Sequence, residues 1–175
     1  MERNGRLLLW ALAALALSAP SAEARWLANA TGPDVFGDIN AMAGVSGTKG
    51  DVALVIQCSN AAGVTLAFTD SASPSTLDKL AQGPVPAKLL IRVDDGDVKT
   101  FDAEAKKWNP TRMAIVVEDV HADLIPVVHA IGAAKKSINV GFEIGGTRES
   151  DNFVATGSTD AMKTVIEKCE LPRPR

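Results

Sequence analysis

Over most of the chain, apolar residues fall at every second position or run together briefly, which is the period of β-strands. Residues 51–58 (DVALVIQC) are the strongest case, β-branched and nearly continuous, as in a strand buried on both faces. Residues 59–63 read as a turn, and residues 64–69 then alternate with Val64, Leu66 and Phe68 on one face, so the two stretches predict a hairpin. Residues 88–93 (KLLIRV) predict another strand. Asp94-Asp95-Gly96-Asp97 makes a tight turn after it, because Asp-Gly tolerates the positive φ angles a hairpin needs. The return strand runs from Val98 towards Trp108, Asn109-Pro110 interrupts it, and residues 112–117 (RMAIVV) form the next. Ile138, Val140, Phe142 and Ile144 alternate again, Gly145-Gly146 ends that strand, and residues 153–156 form the last. Weaker strand signals lie at residues 26–29 and 35–39. Residues 43–50 read as a Gly-rich loop, and residues 71–86 as a long Ser/Pro loop with at most a turn of helix over 75–81.

Two segments change period. Across residues 121–136, Leu124, Val128 and Ile131 fall at helical spacing, with Pro126 tolerable in the first turn and Lys135 and Lys136 at the negative end. Residues 158–169 are the clearest helix: Ser158 or Thr159 to cap it, Asp160 in its first turn, and Ala161, Met162, Val165, Ile166 and Cys169 on one stripe. Pro172 stops it. The pattern predicts a mainly β (α+β) fold, an antiparallel β-sandwich or open barrel with a packed C-terminal helix and one further helix. No repeat with a period of about 20–50 residues is visible.

The first residues follow a different logic. Arg3 and Arg6 precede an uninterrupted apolar run over residues 7–17 (LLLWALAALAL), followed by small residues ending in Ala22-Glu23-Ala24. That is the order of a secretory signal with an A-x-A site, which places the cut between Ala24 and Arg25. The run is too short to span a hydrocarbon core of about 30 Å, which takes roughly 20 residues. The expectation is a signal peptide over 1–24 and a single domain over 25–175, periplasmic or secreted, with no stable membrane anchor after cleavage. In an oxidising compartment the two cysteines, Cys58 and Cys169, predict one disulfide.

The net charge is −3, and removing 1–24 leaves it unchanged, since Arg3 and Arg6 leave with Glu2 and Glu23. Without a basic patch, nucleic acid is not an expected partner. His121 and His129, eight residues apart, would stand about 12 Å apart along a helix, too far to share a metal ion. Asp94, Asp95, Asp97 and Asp102 lack the spacing of a calcium loop and read as a turn with solvated charges. Ser46-Gly47-Thr48-Lys49 fits S-x-x-K, but in a Gly-rich loop and without the companion K-T-G. Asn29-Ala30-Thr31 is a glycosylation sequon, meaningful only in a eukaryotic secretory pathway. Trp108 reads as a lid on apolar residues. No catalytic, cofactor or metal set is expected.

A strand ending in Cys58, the stretch Ile91-Arg92-Val93-Asp94, then Trp108, Phe153-Val154-Ala155-Thr156-Gly157 and a helix reaching Cys169 follow in that order. This order resembles small exported bacterial proteins of the VasI type, which accompany type VI secretion, and the invasion-associated locus B proteins. The resemblance covers roughly residues 51–169. It implies a β-rich exported accessory protein without known catalysis, and carries over only the two cysteines as a disulfide. The leading expectation is a non-enzymatic protein that binds an envelope or secretion component. The alternatives are a small-ligand module, with its ligand between the sheet and the helix at His121, and a small hydrolase with His121 or His129 beside a Ser and a carboxylate.

Overall fold

The computed structural model describes residues 24–59, 63–118 and 123–173, so the predicted signal, up to residue 23, lies outside the described residues. The elements, in chain order, are β1 (Leu27–Thr31), β2 (Asn40–Ser46), β3 (Ala53–Ser59), β4 (Gly63–Ser71), α1 (Pro74–Leu80), β5 (Val85–Val93), β6 (Lys99–Asn109), β7 (Arg112–Glu118), α2 (Ile125–Ala133), β8 (Ser137–Ile144), β9 (Thr147–Val154) and α3 (Ser158–Lys168). All nine strands join one antiparallel sheet in the order β1-β2-β3-β4-β7-β6-β5-β8-β9, curled into an open half-barrel. Of the two predicted architectures, the open barrel forms and the two-sheet sandwich does not.

Alternation along each strand sets the curl's inner face. Leu54, Ile56 and Cys58 of β3 pair with Phe68, Leu66 and Val64 of β4, and all six are buried. Ala53, Val55 and Gln57 between them are half-buried and face outward, so β3 is covered on one face rather than two. Leu89 and Ile91 of β5 and Val140 and Phe142 of β8 extend the inner face across the sheet. After β7 the chain forms α2 and returns as β8, which pairs with β5 rather than with β7. Helices α2 and α3 pack on each other, and α3 lies against β1 and β2. Val127, Val128, Ile131, Met162 and Val165 thereby fill the concavity. At the helix crossing Gly132 has no side chain to spare, since a Cβ there would stand 3.0 Å from the Met162 Cβ.

The two sheet edges are joined without strand pairing. Trp26, 2% exposed, donates its backbone N–H to Thr156 O at 3.0 Å and its Nε1–H to Val154 O at 2.8 Å. The β2–β3 loop reaches the same strand: Thr48 N–H donates to Asn152 O, and Lys49 Nζ to Ser150 O at 2.8 Å. Lys49 of the β2–β3 loop thus lies on the edge strand β9, and α3 packs beside the opposite edge strand β1, features that disfavour pairing with foreign strands.

Several local expectations are corrected. Residues 35–39 form a loop instead of a strand, and residues 40–46, partly read as a loop, form β2. Its buried positions, Ala41, Ala43 and Val45, are too small to give a strong apolar signal. The Ser/Pro stretch contains α1, a third helix, because Ser73 Oγ caps it by accepting from Thr76 N–H at 3.2 Å and Pro74 suits its first position. In α3 the cap is Gly157 at φ 82°, where a Cβ would stand 3.0 Å from Trp26 O. Ser158 Oγ is buried without a hydrogen-bond partner, and Thr159 Oγ1 instead donates to Gly132 O at 2.9 Å, tying α3 to α2. Lys135 and Lys136 lie beyond the end of α2.

Candidate interaction surface

Cys58 on the buried side of β3 and Cys169 at the end of α3 form a disulfide, with Cα atoms 6.3 Å apart and a sequence separation of 111. The stripe on α3 that carries Cys169 inward is what brings the two together. Among the described residues no helix is long and apolar enough to cross a membrane. The disulfide is compatible with an extracellular or periplasmic location. Ala24 packs at the margin of the core and Arg25 precedes the anchored Trp26.

The remaining candidates take structural roles. Asp94, at φ 50°, accepts backbone N–H bonds from Lys135, Lys136 and Ser137 at 2.8, 2.7 and 3.0 Å. These bonds, the one from Lys135 foremost, hold its carboxyl below the usual carboxylate range. It is therefore not the solvated turn residue expected, but the clamp between the β5–β6 turn and the α2–β8 connection. Asp95 pairs with Lys136, while Asp97 and Asp102 stay exposed. Among the described residues no group of His, Cys, Asp and Glu could hold a metal ion. His129 donates from Nε2 to Pro172 O at 3.0 Å, which holds the C-terminal tail on α2; His121 lies outside the described residues.

The S-x-x-K stretch is an edge clamp. Thr48 Oγ1 donates to Asp151 Oδ1 at 2.5 Å, and Lys49 N–H to Asp151 Oδ2 at 3.3 Å. Burial pushes the Asp151 carboxyl up, but these bonds, the one from Asn152 N–H and the Lys49 charge outweigh it and hold the group below its ordinary value. Gly47 makes the approach possible, since a Cβ there would fall 2.1 Å from Asp151 Oδ2. Lys49 reaches Ser150 O, so no lysine lies beneath Ser46 as a nucleophile would need. Trp108 covers Ala67, Ala114 and Val116 on the outer face of the sheet, the lid role expected of it.

What the sequence reading missed is the surface of the β1–β2 hairpin. Among the described residues six large apolar side chains are exposed, and four belong to this hairpin: Leu27 (72%), Val35 (92%), Phe36 (86%) and Met42 (46%). Leu27 pairs with Gly44, and Asn29 with Met42, so Leu27 and Met42 are diagonal neighbours on the outer face. Beside them lies a groove of about 410 Å³ lined by Asn29, Met42, Gln57 and Thr65. The loop that carries Val35 and Phe36 is internally braced. Asp34 Oδ1 accepts from Phe36 N–H at 2.8 Å and Asp38 N–H at 2.9 Å, and Asp34 N–H donates to Asp38 O at 3.0 Å. Its sequence signal was the bracketing of an apolar pair by Gly32-Pro33-Asp34 and Gly37-Asp38, which marks a loop tip rather than a strand.

A second, shallower groove of about 760 Å³ crosses β5, β8 and β9 on the same outer side, with Leu90, Val98, Arg92, Asn139 and Ser150 around a floor opened by Gly141. On the inner side, Leu124, Val127, Val128 and Ile131 at α2 are all buried in the core. The chain matches no protein-family model, no curated protein and no solved structure.

Proposed function

We propose that this is an exported, non-enzymatic accessory protein of the bacterial envelope or of a secretion pathway, and that it acts by binding a protein partner. The observation that carries the reading is the gathering of exposed apolar side chains on the β1–β2 hairpin, in a chain whose interior is solidly filled. Export is supported by the sequence order of charged, apolar and small residues up to Ala24, and by the Cys58–Cys169 disulfide. In-cell crosslinking of the tagged protein, followed by mass spectrometry, tests it. One abundant envelope or secretion component is the expected capture. A turnover activity that survives purification and disappears with a single substitution overturns the reading.

A small-ligand module is the second reading, and the groove over β5, β8 and β9 is the observation that favours it. Its test is a thermal shift of several degrees with one class of compound, lost on substituting Arg92.

A further inference from the structure

We infer that the β1–β2 hairpin docks, through Val35 and Phe36, into an apolar site on its partner that is bordered by Lys or Arg side chains. This rests on the protein-binding reading above and names the surface and the chemistry it requires.

Three observations carry it. First, among the described residues four of the six exposed large apolar side chains lie on this one hairpin, and the two most exposed stand side by side at its tip. Phe36 offers a large apolar surface with only two side-chain torsions to order, a property of residues that dominate binding energy. Second, the tip is already folded. With Asp34 bonded to the Phe36 and Asp38 amides and to the Asp38 carbonyl, little backbone entropy remains to be lost on docking. Third, charge selects the partner. From Trp26 to Thr48 the chain contains Asp34 and Asp38 and no Lys or Arg. Both aspartates flank the apolar pair, so they favour a cationic rim and disfavour an anionic lipid surface. The adjoining groove, lined by Asn29, Met42, Gln57 and Thr65, has room for a side chain from the partner.

The experiment places the photo-crosslinker benzoylphenylalanine at Phe36, and in a separate variant at Val98 on the other groove, in living cells. The crosslinked peptides are mapped, and the captured protein is then purified for binding assays. The expected result is a peptide from a foreign protein, crosslinked from position 36, with apolar residues bordered by Lys or Arg. Phe36→Ser should weaken binding by about tenfold or more. Asp38→Lys, which leaves the Asp34 brace intact, should slow association several-fold, and raising the ionic strength should slow association of the unsubstituted protein in the same way. Phe36 is solvent-facing, so the fold should survive its replacement, and an unchanged melting temperature checks that. Crosslinks from position 36 only to lipid, to a second copy of this chain or to a site without cations overturn the inference, as does binding unaffected by Phe36→Ser. A protein captured from position 98 but not from 36 overturns this surface while leaving the protein-binding reading standing. Failure at both positions overturns both.

Discussion

Asp94 and Asp151 are single side chains that each fasten two parts of the chain. Asp94 gathers three consecutive backbone N–H groups at the entry to β8, and Asp151 holds the β2–β3 loop against β9. In each case the folded state favours the ionised carboxylate, so the folded pKa lies below the ordinary 3.8. Each therefore contributes stability that is complete above that value and is lost as the pH falls through the folded pKa. Urea midpoints of the unsubstituted protein should fall as the pH is lowered from about 5 towards 2. In Asp94→Asn the midpoint should start lower at pH 7 and fall less steeply over that range. Equal slopes in the two proteins would show that Asp94 is not part of the acid response. None of this was legible from the Asp-Asp-Gly-Asp turn, whose composition gives a hairpin but not what lies opposite it.

At the scale of elements, the strands with large alternating residues were legible: β3, β4, β5, β7 and β8 all lie where Val, Ile, Leu and Phe recur at every second position. β2 escaped because Ala41 and Ala43 do the inward packing, and alanine and glycine look like loop when read alone. The inward stripe of helix α3 was legible, although its cap is Gly157 rather than Ser158 or Thr159 and Cys169 closes the helix as a half-buried C-cap. Its disulfide to Cys58 closes a loop of 111 residues. For a loop of that length, chain entropy gives a stabilisation of about 4–5 kcal/mol. The double substitution Cys58→Ala with Cys169→Ala should lower the denaturant midpoint accordingly, and reducing the unsubstituted protein should give the same midpoint. A loss well below about 1 kcal/mol would mean that packing of α3 in the half-barrel fixes the helix without its covalent tie.

At the scale of the molecule, one curled sheet has to close around two helices without pairing its first strand to its last. Trp26 makes that closure, with its ring in the core and both of its N–H groups on the chain around Val154 and Thr156. Trp26→Ala should cost about 3–5 kcal/mol, as for other buried aromatics. It should also speed amide exchange in β1 and in residues 154–157 more than in β5–β7. Uniform acceleration across all strands would show that the closure is not a local device.

By itself, the sequence determined what depends on neighbours in the chain. The strand periods, the helical stripe of α3 and the hairpin turns are all written within a few residues of where they act. Only the tertiary structure decided that the strands form one half-barrel rather than two sheets, because β4 pairs with β7 and β5 with β8 across long stretches of chain. It alone turned Ser46-Gly47-Thr48-Lys49 from a catalytic look-alike into an edge clamp, since Asp151 is about a hundred residues away. It also decided which apolar residues stay outside. Val35 and Phe36 are no less apolar than their buried counterparts. They remain exposed because the hairpin loop carries them beyond the reach of the sheet and helices that bury the rest.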